Sequence, residues 1–321
     1  MTGQNEVAKL GHVALVTPDI EKSYWFWHDV VGLEEVERRD SHIYMRAWGE
    51  FEHHSLILIP GERARVDHVA WKARKPEDVE LYARYLRSQG VEVQDVEAGE
   101  EAGQGRAIRF KVPTSGHPFE IYYDMERPGA PDEKRSRLKN QVYKAWSRGI
   151  SPRRIDHVNI TTSPTPALTQ NWLSDHMGFK MREYIKLNNG DVHAGWMSVT
   201  PLVHDIAIMH EGKHAGPRFH HVAYFLDNAQ DVLRALTILR DHNITPDLGP
   251  GQHGISQAIY TYVRDPGSGH RLELFSGGYL IFDPDWEPLE WREEELVEGL
   301  FWWGDRWAPG SGHAMDETTE A

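Results

Sequence analysis

LGHVALVTPDIEKSYWFWHDVVGL, residues 10–33, and IDHVNITTSPTPALTQNWLSDHMGF, residues 155–179, read as one strand, turn and helix written twice. Two later landmarks recur with them: DHVAWK at 67–72 matches HHVAYF at 220–225, and GHPFEIY at 116–122 matches GHRLELF at 269–275. The spacing repeats too, since Glu120 follows His68 by the same 52 residues that separate Glu273 from His221. The segments starting at His12, Asp67, Ile155 and His220 each open with a strand pattern. Amphipathic stretches such as PEDVELYARYLRSQG (76–90) and NAQDVLRALTILRDHN (228–243) follow, then alternating runs such as SLILI (55–59), AIRFKV (107–112), DIAIM (205–209) and AIYTYV (258–263). The pattern predicts an α+β protein of four βαβββ modules. One module has too few strands to enclose a site, so two must pair and curl around a shared concave centre, making each half of the chain a half-open barrel. The stretch MERPGAPDEKRSRLKNQVYKAWSRGISP, residues 125–152, is rich in charge, Pro and Gly and reads as a linker or connecting helix. The expected organisation is an N-terminal domain with its linker over 1–150, a second domain over 151–275 and a tail over 276–321.

Within the repeat, His157, His221 and Glu273 lie in three strand-like segments and offer two imidazoles and one carboxylate. Such a set occupies three positions of a six-coordinate first-row divalent metal and leaves one face open. In HHVAYF two histidines compete for the role, and strand alternation sends them to opposite faces. The register with HVAWK selects His221, the partner of His68. Glu273 shares its face with Arg271 and Phe275, so that face looks into the barrel.

Composition narrows the partners. A chain of 321 residues with 40% hydrophobic content supports two ordinary domains, and a formal charge of −14 opposes contact with phosphate backbones or anionic lipid surfaces. Nucleic acid and membrane are therefore not expected as partners. The first residues lack a basic start followed by an apolar run, which sets the expectation of a cytoplasmic protein. With zero cysteines, any metal must be held by His, Asp or Glu.

IDHVNI, AGWMS, VHDIAI, PRFHHVAYF, GPGQHGISQAIYTY and DPGSGHRLELF, in this order over 155–275, resemble the vicinal oxygen chelate superfamily. Within it the chain looks like a type I extradiol catechol dioxygenase, most like the homoprotocatechuate 2,3-dioxygenase branch, which shares the WWG found here at 302–304. The resemblance implies a site of iron(II), or manganese(II), held by His157, His221 and Glu273. Its net charge of about plus one matches a singly deprotonated catechol. It further implies that His204 is a second-sphere acid and base on the oxygen side, that Tyr262 and His253 stand beside the deprotonated catechol oxygen, and that Asn159 and Trp196 line the oxygen side and ring pocket. The implied partners are a catecholic substrate and O2, and relatives suggest a homo-oligomer, a tetramer. The remaining histidines, among them His117, His193, His210 and His270, read as surface or structural.

The first half presents His12, His68 and Glu120 in register with these ligands, and His54 mirrors His204. Arg109, however, stands eleven residues before Glu120, as Tyr262 stands eleven before Glu273, and Ala14 replaces Asn159. A guanidinium aimed into the cavity repels a dication, so this half reads as a relic whose polar groups bond internally. The carboxylate-binding arginines of the homoprotocatechuate branch are also missing: Leu248 and the GLF segment at 299–301 stand in their places. The expected substrate is a catechol without an acidic side chain, whether catechol itself or an alkyl-, halo- or arylcatechol, cleaved to a 2-hydroxymuconic semialdehyde type of product. The tail carries five of the twelve tryptophans, Trp286, Trp291, Trp302, Trp303 and Trp307, too much aromatic surface to leave in water, and reads as a lid or subunit interface with a disordered end. Two alternatives share the fold: a glyoxalase- or epimerase-like lyase or isomerase, and a metal-free small-molecule binding protein. The first normally needs a further carboxylate base where His204 stands, and the second needs no metal triad.

Overall fold

The computed structural model describes residues 7–144, 148–304 and 318–321. The first module is β1 (Val7–Thr17), α1 (Ile20–Trp25), β2 (Glu34–Arg39), β3 (His42–Arg46) and β4 (Leu56–Pro60), and the second is β5 (Arg65–Ala73), α2 (Pro76–Ser88), β6 (Val93–Val96), β7 (Ala107–Lys111) and β8 (Pro118–Tyr122). The third is β9 (Arg154–Thr162), α3 (Pro166–Met177), β10 (Lys180–Lys186), β11 (Val192–Ser198) and β12 (Ile206–His210). The fourth is β13 (Arg218–Phe225), α4 (Ala229–Asp241), β14 (Leu248–Gln252), β15 (Ala258–Arg264) and β16 (Arg271–Gly277). Four βαβββ units are thus present, and they pair as the repeat requires.

In the N-terminal half the strands run β2-β3-β4-β1-β5-β8-β7-β6, with β1 antiparallel to β5 at the centre and parallel pairs β1–β4 and β5–β8 beside it. The C-terminal half repeats this as β10-β11-β12-β9-β13-β16-β15-β14. The helices follow from their sequences. In α2, Val79, Tyr82, Ala83 and Leu86 recur at helical spacing and are buried, and Pro76 opens the first turn, where its missing N–H costs nothing. In α4 the Asn228 side chain accepts from the Asp231 N–H, while Val232, Ala235 and Leu239 face the sheet. The first helix continues from α1 into a widened turn over Phe26–Val31 and ends at Gly32, whose φ of 91° only glycine adopts at ease. A Cβ there would also lie 2.0 Å from the Arg148 carbonyl oxygen.

The described residues of the 125–152 stretch form no helix. Their backbone is pinned to the N-terminal half, with Arg46 donating to the Pro128 carbonyl at 2.7 Å and Ser151 N–H to the Val31 carbonyl at 2.7 Å. The tail adds β17 (Leu289–Arg292), α5 (Leu296–Leu300), β18 (Trp303–Gly304) and β19 (Thr319–Glu320). Strand β17 lies parallel to the edge strand β10, and β18 lies antiparallel to the opposite edge strand β14, so one segment joins both edges of the curled C-terminal sheet. Of the end expected to be disordered, 310–317 and Trp307 lie outside the described residues, whereas β19 pairs with β13 and β5 across the two halves. Trp302 and Trp303 stay about half exposed. No helix among the described residues is long and apolar enough to cross a membrane.

The halves share one core. Trp71 of β5 is fully buried and meets Phe179 edge-on with ring centroids 4.9 Å apart. Glu50 accepts the Ile155 N–H at 2.7 Å, and Ser55 and Tyr224 hydroxyls meet at 3.0 Å. The repeat is also expressed as an exchange. His117 donates through Nε2 to the Arg218 carbonyl at 2.9 Å, and its counterpart His270 donates through Nε2 to the Val16 carbonyl at 3.0 Å, each reaching into the other half.

Burial pushes the His117 pKa down to about 4 from the usual 6.5, although the carbonyl it bonds opposes the shift. An unfolded chain therefore takes up a proton that the folded one refuses, and stability contributed by this residue falls as pH drops from 6.5 toward 4. Thermal denaturation across that interval should show a steeper loss for the wild type than for His117→Asn, which cannot titrate; equal slopes would exclude the effect.

Candidate metal centre and active site

Each donor is placed by a strand at the centre of the C-terminal sheet. β9 carries His157, β13 carries His221, and β16 carries Glu273, which pairs with Ala223 on one side and Tyr262 of β15 on the other. All three are buried. His157 Nε2 is 3.1 Å from Glu273 Oε2, His221 Nε2 is 3.0 Å from the same oxygen, and the two imidazole nitrogens are 3.4 Å apart. Metal–ligand bonds of about 2.1 Å at right angles put adjacent donors about 3.0 Å apart, so three mutually adjacent corners of an octahedron give a triangle of this size. The donor set fits a divalent first-row metal.

Neighbouring groups orient the donors. Asp156 Oδ1 accepts from His157 Nδ1 at 2.9 Å, which fixes the tautomer and turns Nε2 to the centre. Burial disfavours the charged form of His157, but Asp156 and Glu273 outweigh it and carry its pKa to about 9. For His221 burial wins over Glu273, and the pKa falls to about 4. Burial would raise the Glu273 pKa, but hydrogen bonds from His157 and His221 hold it well below the usual carboxylate range.

The other expected residues gather around the triad. His204 precedes β12 and its ring centroid lies 4.0 Å from that of His157. Burial, with His157 adding to it, holds His204 well below the usual histidine range, so it is neutral. Tyr262 stands on the other flank, 5.3 Å from the His221 ring, and its hydroxyl is 3.1 Å from His253 Nε2. His253 Nδ1 meets the Leu300 carbonyl at 2.6 Å and must donate there, which leaves Nε2 as the acceptor in the neutral ring. Asn159, two residues past His157, bonds Met209 Sδ through Nδ2 at 3.1 Å, while its buried Oδ1 has no partner. An orphaned acceptor beside the donor triangle invites a donor such as a substrate hydroxyl.

A cavity of about 720 Å³ opens over these groups, a size suited to a small aromatic molecule. Trp196, Ile255, Leu296, Leu300 and Phe301 line it, together with His204, His253 and Tyr262. Leu248 does not: it is buried behind the wall with Tyr260, Tyr262 and Phe301. Gly299, Leu300 and Phe301 do reach the cavity. Of the cations that line it among the described residues, Arg154 is paired with Asp156 and lies over the Phe225 ring, and Lys213 lies on an exposed turn.

The alternation argument fails at His220. A bulge in the β9–β13 pairing between Phe219 and His221 turns His220 to the same side, so it too lines the cavity with its ring 4.8 Å from that of His221. His193 and His210, read from sequence as surface or structural, also border the cavity. No period in the sequence marks a one-residue bulge.

In the N-terminal half His12, His68 and Glu120 converge in the same way, but Glu101 joins them. Glu101 lies 2.9 Å from His12 Nε2 and 3.1 Å from His54 Nε2. Arg109 pairs across the strands with Glu120, as Tyr262 does with Glu273, and its guanidinium reaches Glu120 at 2.6 Å and Glu101 at 2.7 Å. An organic cation thus occupies the charge position among four ligand-like groups. Glu101 comes from a turn that strand periodicity does not address.

The sequence and structure both have close parallels. Residues 154–274 match the Glyoxalase/Bleomycin resistance protein/Dioxygenase superfamily, and residues 66–126 match the catechol 2,3-dioxygenase-like N-terminal domain. The chain is 63% identical to a manganese-dependent 2,3-dihydroxybiphenyl 1,2-dioxygenase of Geobacillus genomosp. 3, covering 98% of this chain and 99% of the relative. It is 35% identical to a metapyrocatechase of Geobacillus stearothermophilus, covering 94% and 90%. The crystal structure of homoprotocatechuate 2,3-dioxygenase from Arthrobacter globiformis superposes with a TM-score of 0.86 at 30% identity, covering 99% of this chain and 94% of that one. With a facial donor triangle under an apolar cavity and relatives of this identity over nearly its whole length, the chain belongs to the extradiol ring-cleaving catechol dioxygenases of the glyoxalase/dioxygenase superfamily.

Proposed function

We propose that this enzyme cleaves a catechol without an acidic side chain, preferring an aryl substituent as in 2,3-dihydroxybiphenyl, with Mn(II) or Fe(II) held by His157, His221 and Glu273. The observation that carries this reading is the donor triangle beneath a cavity walled by Trp196, Ile255, Leu296, Leu300 and Phe301. The 2,3-dihydroxybiphenyl relative and its dependence on manganese support both substrate and metal. The N-terminal half carries no reaction in this proposal. Cytoplasmic residence and a homotetramer complete it.

A divalent metal held by His157, His221 and Glu273 would supply Lewis acidity toward the catechol oxygens and electronic coupling between substrate and dioxygen. The protein handles the protons. Tyr262 and His253 flank the catechol oxygen that loses its proton, and the His253 Nε2 lone pair can accept it because Nδ1 is committed to Leu300. His204, neutral and on the other flank, can take the proton of the second catechol hydroxyl and return it as the O–O bond breaks. Asn159 offers its unpaired amide oxygen as an acceptor for a substrate hydroxyl. The apolar wall excludes water and stacks the ring. Both atoms of O2 enter the product, one ring C–C bond next to a hydroxylated carbon is broken, and a 2-hydroxymuconic semialdehyde type of acid results, with a ketone in place of the aldehyde where the cleaved carbon bears the aryl group.

Oxygen uptake should show kcat/KM for 2,3-dihydroxybiphenyl or 3-methylcatechol far above that for homoprotocatechuate, and the reverse order would sink the substrate assignment. Replacing His204 with Phe should leave the metal bound and slow turnover by roughly 10²–10⁴; unchanged turnover would remove its role. Metal analysis should find one equivalent per chain. Because the metal-free His157 has a pKa of about 9, loading near neutral pH should displace about one proton, read by calorimetry in buffers of different ionisation enthalpy. Two metal equivalents, or loading without proton release, would contradict the arrangement described.

A further inference from the structure

The C-terminal sheet curls until its two edges face each other, and a single buried carboxylate lies where they meet. Glu183 of the edge strand β10 is 1% exposed. Its Oε1 accepts the Ser256 N–H at 2.7 Å and the Tyr279 hydroxyl at 2.9 Å, and its Oε2 accepts the Trp291 indole N–H at 2.7 Å. Ser256 belongs to the turn between β14 and β15 at the opposite edge, Tyr279 follows β16, and Trp291 belongs to β17 of the tail. No cation forms an ion pair with Glu183 among the described residues. Burying a carboxylate without a counter-charge is costly, and three donors from three segments are what offset it here.

The clasped segments are those that build the cavity wall. Ile255 N–H donates to the Gly299 carbonyl at 2.9 Å and Trp302 N–H to the Gln252 carbonyl at 2.8 Å, so the β14–β15 turn and the tail run together. The contact is close enough that a Cβ on Gly254 would lie 2.5 Å from the Glu298 carbonyl oxygen. Trp291 packs with Trp196, Ile255, Leu296 and Leu300 in one cluster. Ser256 and Gln257 both hold positive φ, 60° and 62°, a conformation that non-glycine residues keep where surroundings enforce it.

We propose that Glu183 is a positioning residue for ring cleavage: its carboxylate clasps the two edges of the C-terminal barrel and so fixes the wall of Ile255, Leu296 and Leu300 against which the ring substituent packs. The inference rests on the substrate reading above. Glutamine at this position has the same shape but one acceptor oxygen, and its NH2 must face an N–H or O–H donor, so the clasp opens. Aspartate keeps both acceptor oxygens on a shorter stem.

The test uses metal-loaded wild type, Glu183→Gln and Glu183→Asp, with hydrogen exchange of residues 252–257 and 289–302 measured without substrate and steady-state kinetics measured with 2,3-dihydroxybiphenyl and with catechol. Losing a charge-assisted bond predicts a rise in KM for the biaryl of about tenfold or more in Glu183→Gln, with a smaller change in kcat and a smaller KM change for catechol. Both segments should exchange faster, metal content should hold, and Glu183→Asp should recover part of the biaryl KM. Wild-type protection in both segments, or equal losses with both substrates, would overturn the proposal. If the wild-type protein cleaves neither catechol, the substrate reading fails, and the exchange data still decide whether Glu183 holds the seam.

Discussion

Each half of this molecule buries a glutamate at the centre of its sheet, and the groups packed against that carboxylate determine what the half can do. Glu120 and Glu273 occupy equivalent places on equivalent strands, each directly opposite, on the neighbouring strand, the residue eleven positions earlier. In the first half that residue is Arg109, and with Glu101 it closes the cluster in a network of fixed charges. In the second half it is Tyr262, which brings no charge, so the two imidazoles and the carboxylate remain available to a divalent cation. Within the duplicated frame, Arg109 and Glu101 on one side and Tyr262 on the other distinguish the two clusters.

The consequences spread outward from the triad. Asp156 turns His157 toward the centre, and the Leu300 carbonyl turns His253 toward Tyr262. The orientation of His253 is thus set by a backbone group of the tail, which is not part of the βαβββ repeat. The tail is placed in turn by strand pairing at both sheet edges and by Glu183 between them.

Much of this was legible in the sequence because it is periodic or repeated. The four modules follow from alternation and helical spacing, and the equal 52-residue separations align His68 and Glu120 with His221 and Glu273. The count of eleven residues from Arg109 to Glu120 corresponds to a direct cross-strand pair. What escaped was local or non-repeating. His220 was assigned to the outer face because a bulge is invisible to a period of two. Leu248 was placed in the pocket by resemblance and lies one layer behind it. Glu101 and Glu183 have no periodic or repeated signal, since their partners come from segments that meet only in three dimensions. His117 and His270 read as structural, but their exchange between the halves depends on how the repeats dock.

The pairing of β17 with β10 and of β18 with β14 has a further effect, on how copies of the protein behave together. An uncovered outer strand offers a row of free amides and carbonyls on which another chain can extend the sheet. In the catalytic half both rims are occupied by the protein's own tail, so that route to polymerisation is shut where the barrel must stay open for substrate. The other half defends its rims differently: β2 reads Glu-Glu-Val-Glu-Arg-Arg and β6 is four residues long. Truncation before residue 289 would therefore do more than unroof the cavity, since it would leave two sticky margins facing solvent.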